Sequence, residues 1–216
     1  MESDPMRRFL PLLFIALTLL ISALVYDRLP NRMPSHWNSR GEVDGYSSRE
    51  LGAFLLPLVA LGIWALLRFI PRIDPRRENY EKFQGTFDLL VAGAVGFMCF
   101  MHLGILGFTL GLPIAVDRVI FGCAALLLIL LGNLLPRARS NWFVGIRTPW
   151  TLSNDRVWER THRVGGYAVA VAGVVMLATL FVAPTYVMHI TIAVGMIMTV
   201  FVLGYSYVAW RQERGH

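Results

Sequence analysis

Charge is scarce in this chain. Only 16% of its 216 residues are Asp, Glu, Lys or Arg, against 56% hydrophobic, and the mean hydropathy is +0.55. That balance excludes a soluble globular domain of this length. Cysteine is nearly absent as well. Cys99 and Cys123 lie in apolar stretches without a Cys-x-x-Cys partner, which argues against a disulfide and for buried structural thiols. There is no Gly-x-Ser-x-Gly, no Walker-type phosphate loop and no His-Glu-x-x-His, so nothing marks a nucleophile with its base, and no cofactor is expected. Low-complexity tracts and convincing repeats are missing too.

What the chain has is long apolar runs. A hydrocarbon core about 30 Å thick asks for roughly 20 apolar residues in a helix. Six blocks come near that: 9–26, 51–70, 89–112, 119–135, 167–183 and 186–210. None alternates with the period of two of a membrane β-strand. In lipid each backbone N–H needs an internal partner, so the blocks should be helices. The expected fold is all-α: a polytopic membrane protein of six transmembrane helices. Arg7 and Arg8 precede the first block, but it is longer than a signal core and no small-x-small site follows before Tyr26 and Asp27. It reads as a retained first helix. Residues 1–112 hold three spans and the loop 27–50, and residues 113–216 hold three spans and the loop 132–166. The loops are too short for a separate soluble domain, so one compact bundle is expected.

Fifteen of the twenty basic residues fall on the N-terminus, the second and fourth loops and the C-terminal tail. Arg and Lys favour the cytoplasmic side. Both termini and the segment 132–166 are therefore expected inside, with loop 27–50 outside. Arginines beside anionic membrane lipids account for the net charge of +6, with no direct nucleic-acid partner required.

In the outer loop, Pro30, Pro34, Gly41 and Gly45 favour turns over a long helix, with Asp44-Gly45 as a turn dipeptide. His36, Trp37 and Asn38 make a polar-aromatic cluster. The loop is either an interface-anchored connector, with Trp37 and Tyr46 at headgroup depth, or the face that meets an extracellular ligand. On the second reading His36, Trp37, Asn38 and Asp44 are the contacts. The inner segment 132–166 holds three of the six tryptophans and six of the basic residues. Asn133, Pro136, Arg137 and Arg139 close the fourth span. Ser153 or Asn154 can cap a helix with Asp155 in its first turn. Residues 155–163 then fit a short interfacial amphipathic helix. It would dip Trp158 into lipid, pair Glu159 with Arg163, and bend at Gly165-Gly166 before the fifth span. Lipid anchoring through Trp142, Trp150 and Trp158 is one reading of the segment. A platform built of Asn133, Asn141, Arg147, Trp150, Trp158, Thr161 and His162 is the other.

The outer loop resembles a small N-terminal module of unknown function at Leu29, Pro30, Met33, Pro34, His36, Trp37, Asn38, Gly41, Asp44, Gly45 and Tyr46. The inner segment resembles the SdpI (sporulation-delaying-protein immunity) family. The positions are Gly132, Asn133, Asn141, Gly145, Ile146, Arg147, Thr148, Pro149, Trp150, Thr151, Leu152, Trp158, Thr161, His162 and Gly166. The resemblance implies a non-enzymatic, multi-pass protein of the bacterial inner membrane. It would give immunity to a secreted peptide toxin or amphiphile, and signal by holding a cytoplasmic autorepressor at the membrane.

Two other readings stand beside it. A small transporter or lipid-handling protein could use a cavity near His102, with Pro57 and the glycines of the third span as hints. Close helix packing, with Gly107 and Gly111 as a small-xxx-small pair, is the plainer account of those glycines. His36, His102 and His189 could converge as metal ligands, although they lack close ligand spacing, and no metal is expected.

Overall fold

The computed structural model describes residues 5–38 and 41–214. Its elements run α1 (Pro5–Val25), β1 (Arg32–Trp37), β2 (Val43–Ser48), α2 (Arg49–Ile73), α3 (Glu78–Glu81), α4 (Gln84–Thr109), α5 (Val116–Leu134), α6 (Pro149–Ser153), α7 (Asp155–Val182) and α8 (Val187–Arg214). Among the described residues, six helices are long and apolar enough to cross a membrane: Arg8–Arg28, Arg49–Ile73, Gln84–Thr109, Val116–Arg137, Asp155–Val182 and Pro184–Arg214. Each contains or overlaps one of the six apolar blocks. The protein is a multi-pass, all-helical membrane protein carrying one small β-hairpin.

Burial shows which helices hold the others together. Half of the most apolar window of the third span is buried, against 11% in the sixth. α4 is thus the central post, and α8 turns side chains such as Ile197, Val200 and Val208 outward, as lipid contact requires. Three clusters fill the space between α1, α2 and α4. Leu29, Met33, Ala53 and Leu106 sit under the hairpin, and Ile15, Ala60, Val95 and Cys99 lie at mid-depth. Ile70, Tyr80, Phe83, Phe87 and Val91 pack at the opposite end.

Small residues let α5 and α7 approach closely. A Cβ on Gly132 would lie 2.4 Å from the backbone nitrogen of Ala170, and one on Gly173 would lie 2.7 Å from the carbonyl oxygen of Ala125. Gly93 and Gly104 do the same for α4 on α5, meeting Leu130 and Val119. Gly111 departs from its expected role. It lies past the end of α4 at φ +84°, where Leu112 N–H donates to Gly107 O and Gly111 N–H to Phe108 O, both at 3.0 Å. That is a Schellman stop, and glycine supplies its left-handed residue.

Two further expectations are corrected. Asp44-Gly45 is not the turn of the outer loop, because both residues lie in β2 and Gly45 pairs with His36. The chain reverses between Asn38 and Glu42, closed by Asn38 N–H to Glu42 O at 2.9 Å with Gly41 at φ +76°. Residues 155–163 are not a separate interfacial helix either. They are the first turns of α7, which runs unbroken through Gly165 and Gly166. Those glycines serve packing instead, meeting Ile146 and Gly132. The short helix is α6, made by the Thr148–Thr151 capping box with Pro149 at its first position.

Candidate functional site

The segment between α5 and α7 folds into a tight clasp against the α2–α4 connection. Its centre is Asn141, fully buried. The Asn141 Oδ1 accepts from Val144 N–H (2.6 Å), Phe143 N–H (3.0 Å) and the Tyr80 hydroxyl (3.3 Å). Its Nδ2 donates to the carbonyls of Arg139 (2.8 Å) and Val144 (3.0 Å). A buried side-chain amide with both ends satisfied pins a loop that has no helix or sheet of its own.

Buried Asp74 supports it from below, accepting from the Tyr80 hydroxyl and Trp142 N–H at 2.9 Å each and from Arg76 N–H at 2.7 Å. Burial and this carboxylate hold the Tyr80 phenol well above its ordinary pKa of 10.0. Arg76 reaches across to the Ser140 hydroxyl, the Leu152 carbonyl (2.8 Å) and Asp155 (3.2 Å), tying loop, α6 and α7 together.

Trp158 and His162 form the second half of the clasp. Four apart on α7, they stack at 3.9 Å between ring centroids, both buried. Trp158 Nε1–H donates to the Ala138 carbonyl at 2.9 Å. His162 donates from Nδ1 to the Trp158 carbonyl and accepts at Nε2 from Ile146 N–H, both at 2.9 Å. One nitrogen gives and the other receives, so the ring is neutral with its proton on Nδ1. Gly145, at φ +113°, presses its backbone onto that ring: a Cβ there would sit 2.3 Å from Nε2. Trp158 is therefore no lipid anchor. Glu159 pairs with Arg139 at 2.6 Å, not with Arg163.

The remaining platform residues divide. Thr161 is buried beside His162, and its hydroxyl has no hydrogen-bond partner among the described residues. Trp150 packs edge-on against Tyr207 of α8, with centroids 5.2 Å apart. Arg147 is exposed and donates to the Trp142 carbonyl at 2.9 Å. Asn133 is exposed and spends its amide on its own helix, donating to the Ile129 carbonyl at 2.7 Å.

The hairpin lies at the opposite end of the bundle. His36 Nδ1 and Asp44 Oδ1 are 2.5 Å apart across the two strands. Trp37 packs edge-on against Phe108 of α4, and Asn38 Nδ2 donates to Glu42 at 2.8 Å. Trp37 and Asn38 face a cavity of about 600 Å³ whose other walls are Asp117, Arg118 and Phe121 of α5 and the Pro184–His189 turn. The Asp117, Arg118 and His189 contribution had no local signal beyond charged residues at span ends. His36 and Asp44 are not among the residues lining this cavity.

His102 stands apart from both ends. It is buried in α4 with its Nε2 2.8 Å from the Ser22 hydroxyl, and it lines none of the cavities described here. His36, His102 and His189 share no group: among the described residues, no three His, Cys, Asp or Glu side chains are placed to hold a metal.

Comparison with known proteins matches two parts of the chain. Residues 137–206, from the clasp to most of α8, match the SdpI/YfhL protein family, and residues 13–61, with the hairpin, match a domain of unknown function, DUF1648. The immunity protein SdpI of Bacillus subtilis (strain 168) is 25% identical over 210 residues, covering 97% of this chain and 98% of that protein. The segment 137–206, about a third of the chain, is thus similar to the SdpI/YfhL family. No solved structure matches the chain.

The DUF1648 match and the SdpI/YfhL-matched segment supply opposite walls of the 600 Å³ cavity: Trp37 and Asn38 from the first, Pro184–His189 from the second. The clasp draws on Asp74, Arg76 and Tyr80, which lie outside both matches. A buried aspartate in a short Arg-rich connector was the one available sign of them, and it looks like any solvated charge in sequence.

Proposed function

We propose that this protein is a non-enzymatic immunity protein of the bacterial inner membrane. The hairpin would face outside and the termini and clasp inside. A secreted peptide toxin or amphiphile would engage the hairpin end through His36, Trp37, Asn38 and Asp44. The end-to-end similarity to an immunity protein carries this reading. Fifteen basic residues on the clasp side support the orientation.

The finer reading is signalling to a cytoplasmic repressor. The outer cavity is walled by the start of α5 and by the Pro184–His189 turn that follows α7, and the clasp grips the other ends of α5 and α7. Their contact, backbone to backbone at Gly132, Gly166 and Gly173, is too tight to deform gradually. A shift at one end is therefore passed to the other as a rigid movement. Arg147, exposed on the clasp, would meet the soluble partner.

The test is expression in a toxin-sensitive strain lacking its own immunity protein. Wild type should protect. Trp37→Ala with Asn38→Ala should lose protection at unchanged membrane abundance. Reporter fusions placing the hairpin in the cytoplasm, or full protection by the double variant, would refute the reading.

A further inference from the structure

A second large cavity, about 590 Å³, opens at the clasp end between α1, α2, α3 and α4. Its position is set by where three spans begin or end. The first starts at Arg8, the second ends at Ile73 one residue after Arg72, and the third starts at Gln84. Arg8, Arg72 and Gln84 all line the cavity, so it lies at the depth of the lipid headgroups.

Its floor is fixed. Arg68, in the last turns of α2, is ion-paired with buried Asp88 of α4 and donates to the Arg8 carbonyl at 3.1 Å. That pair neutralises itself. Above it stand three arginines, Arg8, Arg72 and Arg77, and two glutamates, Glu78 and Glu81. None of the five makes an ion pair with another described residue, although Arg77 and Glu81 are four apart, where helical neighbours commonly pair. Charges of both signs therefore face one space without satisfying each other. Tyr80 and Phe87 give it an apolar side.

We propose that this cavity binds the phosphoethanolamine headgroup of a membrane phospholipid. The planar guanidinium groups of Arg8, Arg72 and Arg77 suit phosphate oxygens, which they can engage through paired N–H donors. A purely anionic headgroup would leave Glu78 and Glu81 facing negative charge. An ammonium two carbons from the phosphate gives both carboxylates a partner. The volume falls in the range of small-ligand sites. A lipid held here bridges the start of the first span to the α2–α4 connector, which is the foundation on which Asp74, Arg76 and Tyr80 build the clasp.

The full chain, purified in detergent and stripped of lipid, is titrated with phosphatidylethanolamine, phosphatidylglycerol and cardiolipin by native mass spectrometry. Inorganic phosphate is the soluble competitor. Phosphatidylethanolamine should bind best. Replacing Arg8, Arg72 and Arg77 together by Gln should weaken it by about tenfold or more. Glu78→Gln with Glu81→Gln should instead erase the preference over phosphatidylglycerol while phosphatidylglycerol still binds. These surface changes spare Arg68 and Asp88, and an unchanged melting temperature confirms that each variant is folded. Preference of the wild type for an anionic lipid, displacement of the lipid by millimolar phosphate, or unaltered binding by the triple Arg variant overturns the assignment. None of these outcomes bears on the immunity reading, which depends on the other end of the molecule.

Discussion

Gly145→Ala is the sharpest perturbation of the clasp. The backbone there has φ +113°, a region that residues with a Cβ rarely adopt. Such strain costs about 1–3 kcal/mol. The added methyl carbon would also fall 2.3 Å from His162 Nε2 and 3.3 Å from the Trp158 ring. Neither ring can give way, because Trp158 is bonded to the Ala138 carbonyl and His162 is held at both nitrogens. Overpacking of this kind adds about 1–3 kcal/mol. Losing the Ile146 N–H to His162 bond leaves a buried donor and acceptor unpaired, about 1–3 kcal/mol more. Because these effects share one distortion they will not add fully, and a total of about 3 kcal/mol is expected. For a chain of this size that is roughly 6–12 °C in Tm. Intrinsic tryptophan fluorescence of the purified protein, heated in detergent, reads it directly. Gly62→Ala is the control, since a Cβ there meets nothing within 4 Å. A shift below about 2 °C for Gly145→Ala, or an equal shift for Gly62→Ala, would refute the reasoning.

Three further outcomes follow from the same geometry. Asn141→Ala strips partners from two N–H groups and two carbonyls at once and should cost about 2–4 kcal/mol, seen as the same loss of thermal stability. Arg147→Ala removes one exposed contact, so Tm should move by less than about 2 °C. If Arg147 meets a repressor, that variant should lose membrane recruitment of the partner while still protecting the cell, and a variant that recruits normally disproves the role. Tyr80 predicts an alkaline limit. Unfolded, its phenol ionises near pH 10, but folded it keeps its proton above that, so the folded state binds more protons there. Its contribution is complete below pH 10 and falls as pH climbs further. Tyr80→Phe should flatten that slope in a series of melts from pH 8 to 11.

Most of the architecture was legible because lipid permits few choices. Six runs of apolar side chains must be helices, and only their ends were open. Those ends moved where polar residues carry helix into the interface, as at Asp155, where the Asn154 side chain caps α7 through Arg156 and Val157 N–H. The clasp was legible as a place and not as a mechanism. Trp158 at the start of a span looks like an interfacial anchor, since sequence does not show that the Ala138 carbonyl waits twenty residues upstream. Asp74, Arg76 and Tyr80 were invisible for the same reason: their partners lie more than sixty residues away. The outer cavity needed three separated segments to meet.

This division changes what the family signature means. Gly132, Asn141, Thr148, Thr151, Trp158, Thr161, His162 and Gly166 are all buried, and all but Thr161 hold the clasp through a hydrogen bond, a ring stack or a backbone approach. Their spacing is demanded by the fold, whatever the protein meets. Arg147 is different. Its side chain is exposed, and its one bond, to the Trp142 carbonyl, could be replaced by water at little cost. Its charge also acts on Tyr80 of the clasp, and its exposure leaves it open to the outside contact proposed above. Loss of protection on changing a buried signature residue would report damage to the clasp. Exposed positions, such as Arg147 at this end and His36, Arg118 or His189 at the other, separate recognition from folding more cleanly than buried ones.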